Sequence, residues 1–138
     1  MATTVENKFG STVHISKFDA ESFKPVGRRE FLAYRDLGIG SATNGAVGAV
    51  ISRSSDPGQN VDVTTGWHYH ICDLQVFYII RGWIDIEFEG TGVLRLEAGS
   101  CVNIPPGVIH NEIAIAPENE ILEITIPPKI ETIAVSAP

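Results

Sequence analysis

The sequence predicts an all-β domain built from antiparallel strands, and three observations support this prediction. Most segments are short runs rich in Val, Ile, Phe and Tyr, and Gly, Pro, Asn and Asp separate them. The strongest run, residues 74–90, alternates along its first half, with Gln75, Phe77 and Ile79 on one face. No long stretch has the spacing of an amphipathic helix. A sandwich or barrel of strands follows from this pattern.

The 138-residue chain has the size and composition of one globular domain, with 43% hydrophobic and 20% charged residues. It contains no internal repeat, linker or low-complexity tract. We therefore expect a single domain over residues 1–138, with a core at about 45–127. An N-terminal arm would cover 1–30, and the tail 128–138 would form a strap or be disordered.

The net charge of −7 and the lack of a Lys/Arg cluster argue against nucleic acid and anionic membranes as partners. No apolar run approaches the roughly 20 residues that a membrane span needs. The N-terminus lacks the apolar segment of a signal peptide. We therefore expect a cytoplasmic protein in which Cys72 and Cys101 are reduced thiols.

Turn signals separate the predicted strands in order along the chain. Asn44-Gly45 precedes the strand at 46–54, which ends in a turn at 54–60. In the strong run 74–90, Gly82 is expected to bend the backbone with a positive φ. Further extended segments are expected at 63–71, 93–99, 101–116 and 121–127, with a hairpin turn at 89–92.

The segment WHYH at residues 67–70 places His68 and His70 two residues apart. In a strand, such residues point to the same face, about 6.6 Å apart along the axis. Two imidazoles at this separation can converge on one ion, because zinc–nitrogen bonds are about 2.0–2.1 Å long. The alternative is a pair of polar residues on a solvated strand face.

Two further residues favour a metal site. Gln75 begins an otherwise apolar strand face, where a buried amide needs a partner such as an ion, a bound water or the backbone. His110 follows the stiff turn Pro105-Pro106-Gly107 and lies among apolar residues. Its alternative role is a core imidazole that a backbone carbonyl satisfies.

The spacing of these residues resembles the two motifs of the cupin superfamily, over roughly residues 45–127. The first motif has two histidine positions, which are occupied here by His68 and His70. Its glutamate position is occupied by Gln75, and its last glycine is Gly82. Asp62 stands where the opening glycine is expected. In the second motif the matching residues are Gly99, Pro105, Gly107 and His110, while Ala114 replaces an asparagine.

This resemblance to small single-domain cupins implies an antiparallel jelly-roll β-barrel with a divalent metal site in its mouth. The implied ligands are His68, His70, Gln75 and His110, although Gln75 can instead hydrogen-bond a metal-bound water. Four neutral ligands would leave the ion its full charge, so that it attracts an anionic bidentate substrate. Iron(II) is the expected cofactor, with zinc, manganese and nickel as alternatives.

Glu112 and Glu123 are the candidate catalytic residues. Glu112 lies two residues after His110, so it should share that residue's face as a base or an outer partner of the site. Glu123 lies within the apolar segment ILEITIP and would act as an acid or base if it is buried. For both carboxylates the alternative is a position in contact with solvent.

The predicted function is that of a metal-dependent dioxygenase acting on an enolisable diketone or a hydroxylated aromatic compound. The alternatives are a zinc-dependent cupin of the polyketide-cyclase or isomerase type, a non-catalytic small-molecule binder and a metal-free cupin. A homodimer is also expected, because small cupins commonly pair and because Val76, Tyr78 and Ile80 form a second apolar strand face. That face should be covered, either within the domain or by a second subunit.

Overall fold

The computed structural model describes residues 10–25, 29, 31–55 and 64–138, which form two five-stranded antiparallel sheets. The strands are β1 (Leu32–Asp36), β2 (Gly48–Ser54), β3 (His68–Ile71), β4 (Leu74–Arg81), β5 (Trp83–Phe88), β6 (Gly92–Glu97), β7 (Cys101–Asn103), β8 (His110–Ile115), β9 (Glu120–Ile126) and β10 (Glu131–Ala134). The first sheet has the order β1-β2-β9-β4-β7, and the second has the order β10-β3-β8-β5-β6. One helical turn, α1 (Ile39–Ala42), and a 3-10 turn at Ala20–Ser22 complete the described elements.

The two sheets enclose one apolar core, as the alternation of residues 74–80 predicts. Phe77 and Ile79 on β4 are buried against Ile84 and Ile86 on β5. The predicted all-β antiparallel fold is therefore confirmed as a two-sheet sandwich. The ladders of the described residues form two separate sheets, and closure into a barrel stays a prediction.

The predicted turns have the backbone conformations that their residues favour. Asn44 and Gly45 have φ values of 54° and 82°, and Gly82 has a φ of 82° at the bend between β4 and β5. The predicted turn at 89–92 connects β5 to β6. Most of the turn predicted at 54–60 lies outside the described residues.

Both ends of the chain contribute strands that lie outside the predicted core. β1 pairs with β2 over its full length, and the N-terminal segment packs on it, because Arg35 donates hydrogen bonds to the carbonyls of Ser16 and Lys17. The tail, predicted as a strap or a disordered segment, forms β10 and pairs with β3. This pairing brings the tail against the histidine-bearing strand.

The apolar outer face of β4 is not covered by the described part of the chain. Tyr78 is 42% exposed and Ile80 is 44% exposed, so the cover that the sequence predicts is not present within one described chain. Cys72 is buried and Cys101 is exposed, and no disulfide joins them. Among the described residues, no helix has the length and apolar character to cross a membrane.

An ion pair joins β5 to β6 on the outside of the second sheet. Arg95 donates hydrogen bonds of 2.8 Å and 2.9 Å to the carboxylate of Asp85, and its guanidinium lies 3.7 Å from the centroid of the Trp83 ring. The hydrogen bond from Arg95 holds the pKa of the Asp85 carboxyl below its usual value. This pair stabilises an edge hairpin and takes no part in the cavity described below.

Replacing Gly82 by Ala should destabilise the sandwich more than the same change at Gly90. Both glycines have a positive φ, but a Cβ at Gly82 would lie 2.6 Å from the carbonyl oxygen of Glu118, whereas a Cβ at Gly90 would meet no atom within 4 Å. We expect Gly82→Ala to lower the free energy of unfolding by roughly 2–5 kcal/mol. Gly90→Ala should cost only about 1 kcal/mol. Urea unfolding measures both values, and equal losses would contradict this account of Gly82.

Candidate metal centre

Three buried histidines converge between the sheets. His68 and His70 point inward from β3, and His110 begins β8 directly opposite His68 in the antiparallel ladder. Their exposed fractions are 2%, 4% and 0%. One nitrogen from each ring lies within 4.8 Å of the other two. The structure thus brings together the three histidines that the sequence predicts as ligands.

Backbone carbonyls orient two of the rings. The Nδ1 atom of His68 lies 2.7 Å from the carbonyl oxygen of Gly66, and Nδ1 of His110 lies 2.9 Å from that of Val108. A carbonyl only accepts, so Nδ1 carries the proton and Nε2 carries the lone pair in both rings. Gly66 has a φ of 75°, a conformation that few other residues adopt.

The tail strand β10 engages the third ring. Nδ1 of His70 lies 3.1 Å from the Thr132 hydroxyl and 3.3 Å from the Glu131 carbonyl oxygen. The Glu131 carbonyl again favours the tautomer with the proton on Nδ1. Metal-binding histidines are usually held in this way, with the second ring nitrogen donating to an oxygen. The three rings therefore offer three Nε2 lone pairs to one region.

The spacing of the histidines suits one divalent ion. Two nitrogens bound to the same zinc ion, each at about 2.1 Å, are at most about 4.2 Å apart. The ligand atoms here are within 4.8 Å of one another, so the widest pair needs to close by about half an ångström. Side-chain rotations of this size require no rearrangement of the strands.

Gln75 is buried on β4, in the first sheet, and its side-chain amide is oriented by a neighbouring carboxylate. Its Nε2 donates a 3.2 Å hydrogen bond to Oε2 of Glu123, which fixes the orientation of the amide. Its Oε1 is buried and has no hydrogen-bond partner among the described residues. The turn before β8 holds Gln75 and His70 together, because Ile104 N–H donates to the Gln75 carbonyl and Gly107 N–H donates to the His70 carbonyl.

Both candidate carboxylates line the same cavity as His70. The cavity has a volume of about 50 Å³, and its polar lining includes Glu112 and Glu123. They reach it from opposite sheets, on β8 and β9. Glu112 follows His110 by two residues on β8, and the sharing of one face by these two side chains stays a prediction. Glu123 points between the sheets, where Gln75 holds it.

A wider depression of about 480 Å³ adjoins this cavity, and Tyr34, Val50 and Glu123 line both spaces. The inner cavity by itself has room for roughly two water molecules. A small organic molecule would therefore enter through the depression and displace side chains at the inner end.

Four polar lining residues of the cavity are not indicated by the sequence patterns: Arg29, Tyr34, Ser52 and Asn119. A guanidinium nitrogen of Arg29 lies 3.4 Å from Nε2 of His68. Asn119 is 3% exposed, and within the described part of the chain its buried Oδ1 has no hydrogen-bond partner. Arg29 lies within the predicted arm and Asn119 in a polar loop, where no periodic pattern indicates a buried position.

Comparison with solved structures identifies the fold. A cupin-like protein from Thermotoga maritima aligns with a TM-score of 0.61 and 22% identity, covering 85% of this chain and 90% of that protein. The chain has a cupin fold. Its similarity to cupins extends to the polyketide cyclase RemF from Streptomyces resistomycificus, with a TM-score of 0.65 and 15% identity over 90% of this chain and 87% of that one.

The cupin fold also occurs in a larger oxygenase. The salicylate 1,2-dioxygenase from Pseudaminobacter salicylatoxidans aligns with a TM-score of 0.57 and 13% identity over 79% of this chain, which spans 32% of that protein. No protein-family model and no curated protein matches the sequence. Identities at this level establish the shared cupin fold alone.

Removing one histidine of the cluster should greatly weaken metal binding. We expect the tag-free protein to bind about one equivalent of a divalent ion. Loss of a hydrogen-bond partner behind a ligand typically lowers metal affinity by roughly 10–100-fold. His110→Ala removes a ligand itself, so we expect a larger loss of metal affinity. Elemental analysis and titration calorimetry measure both quantities.

His14→Ala is the matched control for this experiment. His14 packs against Gly38, away from the cluster, so its loss removes an imidazole without changing the site. Equal metal content in the wild type and the His110→Ala protein would contradict the assignment of the cluster as a metal centre.

Proposed function

We propose that this protein is a metal-dependent enzyme that converts a small enolisable or phenolic molecule by oxygen-dependent cleavage, as a dioxygenase does. The observation that carries the proposal is the convergence of three buried imidazoles whose Nδ1 atoms are all held by oxygen atoms. This arrangement aims three lone pairs at one region, which a purely structural cluster of histidines does not need.

The donor set fits a divalent ion. His68, His70 and His110 would bind it through nitrogen, and the buried Oε1 of Gln75 would be the fourth donor. An unsatisfied buried acceptor of this kind costs roughly 1–3 kcal/mol. A bound ion, or water on that ion, would remove the penalty.

The bound ion would supply Lewis-acid stabilisation of an enolate or phenolate, and iron(II) would add redox chemistry with molecular oxygen. All four donors are neutral, so they leave the ion's positive charge uncompensated. An anionic substrate would supply the missing negative charge, which favours compounds that lose a proton on binding.

Glu123 is the proposed proton acceptor. It lines both the inner cavity and the outer depression, so a substrate entering between them would contact it. The Nε2–H group of Gln75 fixes one of its oxygens. Glu123 would take the proton from the substrate hydroxyl or from the carbon beside a carbonyl. Glu112, on the opposite wall, would take or return a proton at the other end of the cavity.

The same two carboxylates support a second candidate function. A pair of acid/base groups facing each other across a cavity is what an aldol-type cyclisation or an isomerisation requires. With zinc or nickel in the site, Glu112 and Glu123 would move protons between two carbon or oxygen atoms without consuming oxygen. The neighbouring polyketide cyclase RemF is a protein of this general reaction type.

Glu123→Gln separates the role of Glu123 from metal binding. Removal of a general base typically lowers kcat by 10²–10⁴-fold, and we expect a loss of about this size with unchanged metal content. Oxygen uptake with diketones and dihydroxylated aromatics tests the dioxygenase, and product analysis without oxygen tests the cyclase or isomerase. Glu97→Gln, on the edge strand β6, is the control. Full activity of the Glu123→Gln protein with metal bound would overturn the assignment.

A homodimer remains part of the proposal, because the exposed face of Tyr78 and Ile80 is apolar. A second subunit packed on this face would bury it. We expect a light-scattering mass of two chains for the wild type and of one chain for Ile80→Glu. A monomeric wild type at micromolar concentration would exclude this arrangement.

A further inference from the structure

The guanidinium of Arg29 contacts the nitrogen of His68 that a metal ion needs. The Nδ1 proton of His68 points at the Gly66 carbonyl, so Nε2 carries only a lone pair. Arg29 lies 3.4 Å from this atom and donates an N–H group to it. One lone pair cannot serve both a guanidinium and an ion. Arg29 and the ion are therefore competitors for His68.

Charge makes this competition stronger. A guanidinium keeps its proton at every pH that proteins experience, so Arg29 cannot relieve its repulsion from a dication by becoming neutral. Glu112 and Glu123 line the same cavity and bring two negative charges. With a divalent ion bound, the ion and the described residues that line the cavity together carry one more positive than negative charge. A ligand with a single negative charge would balance it.

We propose that Arg29 changes partner during binding: it holds Nε2 of His68 before metal enters and binds an anionic group of the substrate afterwards. This inference rests on the proposed function and narrows its substrate class. The substrate would be a small carboxylate whose neighbouring hydroxyl or carbonyl oxygen reaches the ion. The planar fork of arginine matches a carboxylate with two parallel hydrogen bonds.

The small volume of the inner cavity supports a movement of Arg29. Arg29 and His70 line a space of about 50 Å³, which is too small for an organic molecule without displacement of side chains. Arg29 is only partly buried. When it leaves His68, it vacates part of the space that the substrate occupies.

The alternative role is a supporting one, in which Arg29 orients the His68 ring for metal. The two roles predict opposite signs. If Arg29 competes with metal, its removal tightens metal binding; if it orients the ring, its removal weakens metal binding. The sign of the change thus decides between them.

The first experiment measures zinc and cobalt(II) affinity by competition with a chromophoric chelator. The variants are Arg29→Gln, Arg29→Lys and the control Arg81→Gln. Arg81 is exposed and lies outside the cavity lining, so its replacement removes the same charge away from the site. We expect Arg29→Gln to bind metal roughly tenfold more tightly and Arg81→Gln to equal the wild type. Weaker or unchanged metal binding by Arg29→Gln would overturn the proposal.

The second experiment measures ligand binding through the visible spectrum of the cobalt(II)-loaded protein. Lactate and lactamide have the same shape but differ in charge. The wild type should bind lactate at least about tenfold more tightly than lactamide, and Arg29→Gln should lose this preference. Arg29→Lys keeps the positive charge but lacks the planar guanidinium, so its preference for lactate should lie between those of the wild type and Arg29→Gln. A lactate preference that persists in Arg29→Gln would assign anion binding to the ion alone and refute the role of Arg29.

The outcomes separate this inference from the proposed function. If the wild type binds metal and Arg29→Gln changes neither measurement, only the role of Arg29 fails. If neither protein binds metal, both proposals fail. If Arg29→Gln binds metal and the wild type does not, Arg29 competes with metal as proposed. The wild type would then bind metal only after Arg29 has left His68.

Discussion

The hydrogen bonds from three histidine Nδ1 atoms to oxygen atoms are the interactions on which the candidate site depends. An imidazole buried between two sheets has two polar nitrogens, and each needs a partner. The partners of Nδ1 come from three separate segments: the turn before β3, the turn before β8 and the tail strand β10. Because each ring is held through Nδ1, its Nε2 is the nitrogen left to face the other two rings. Burial and orientation of the cluster therefore follow from the same set of contacts.

Gln75 changes where negative charge is found in this site. In the cupin motif this position carries a glutamate that ligates the ion, whereas here it carries a neutral amide. The nearby negative charge lies on Glu123, on the neighbouring strand β9, and the amide of Gln75 donates a hydrogen bond to it. A carboxylate that does not ligate an ion is available to accept a proton. Relative to the motif, a neutral amide thus stands in place of a carboxylate, and the carboxylate of Glu123 lies beside it.

Arg29 brings a positive charge to the cavity and lies outside the described strands. A cation beside a metal centre is unfavourable unless an anion accompanies it. As proposed, Glu112, Glu123 and Arg29 would determine the charge of the ligand, whereas the three histidines would hold the ion. The Nε2 atom of His68 belongs to both sets of contacts, because Arg29 also reaches it.

Much of the fold and half of the site could be predicted from local patterns. A strand has a period of two, so His68 and His70 share a face wherever the segment is extended, and the same rule places Glu112 with His110. The conformations at Asn44, Gly45 and Gly82 follow from the steric freedom or local bonding of those residues. The motif spacings related Gln75 and His110 to the histidine pair across the chain.

The sequence by itself determined which residues alternate, where the chain turns and which side chains can ligate an ion. The tertiary structure alone decided what lies opposite them. The tail strand β10 reaches His70 across 61 positions of the chain, and Gln75 meets Glu123 across 48. Arg29 meets His68 across 39 positions, from a segment with no periodic pattern. Local preferences extend over a few residues, whereas these contacts arise from the pairing and stacking of whole sheets, whose register is a property of the assembled core.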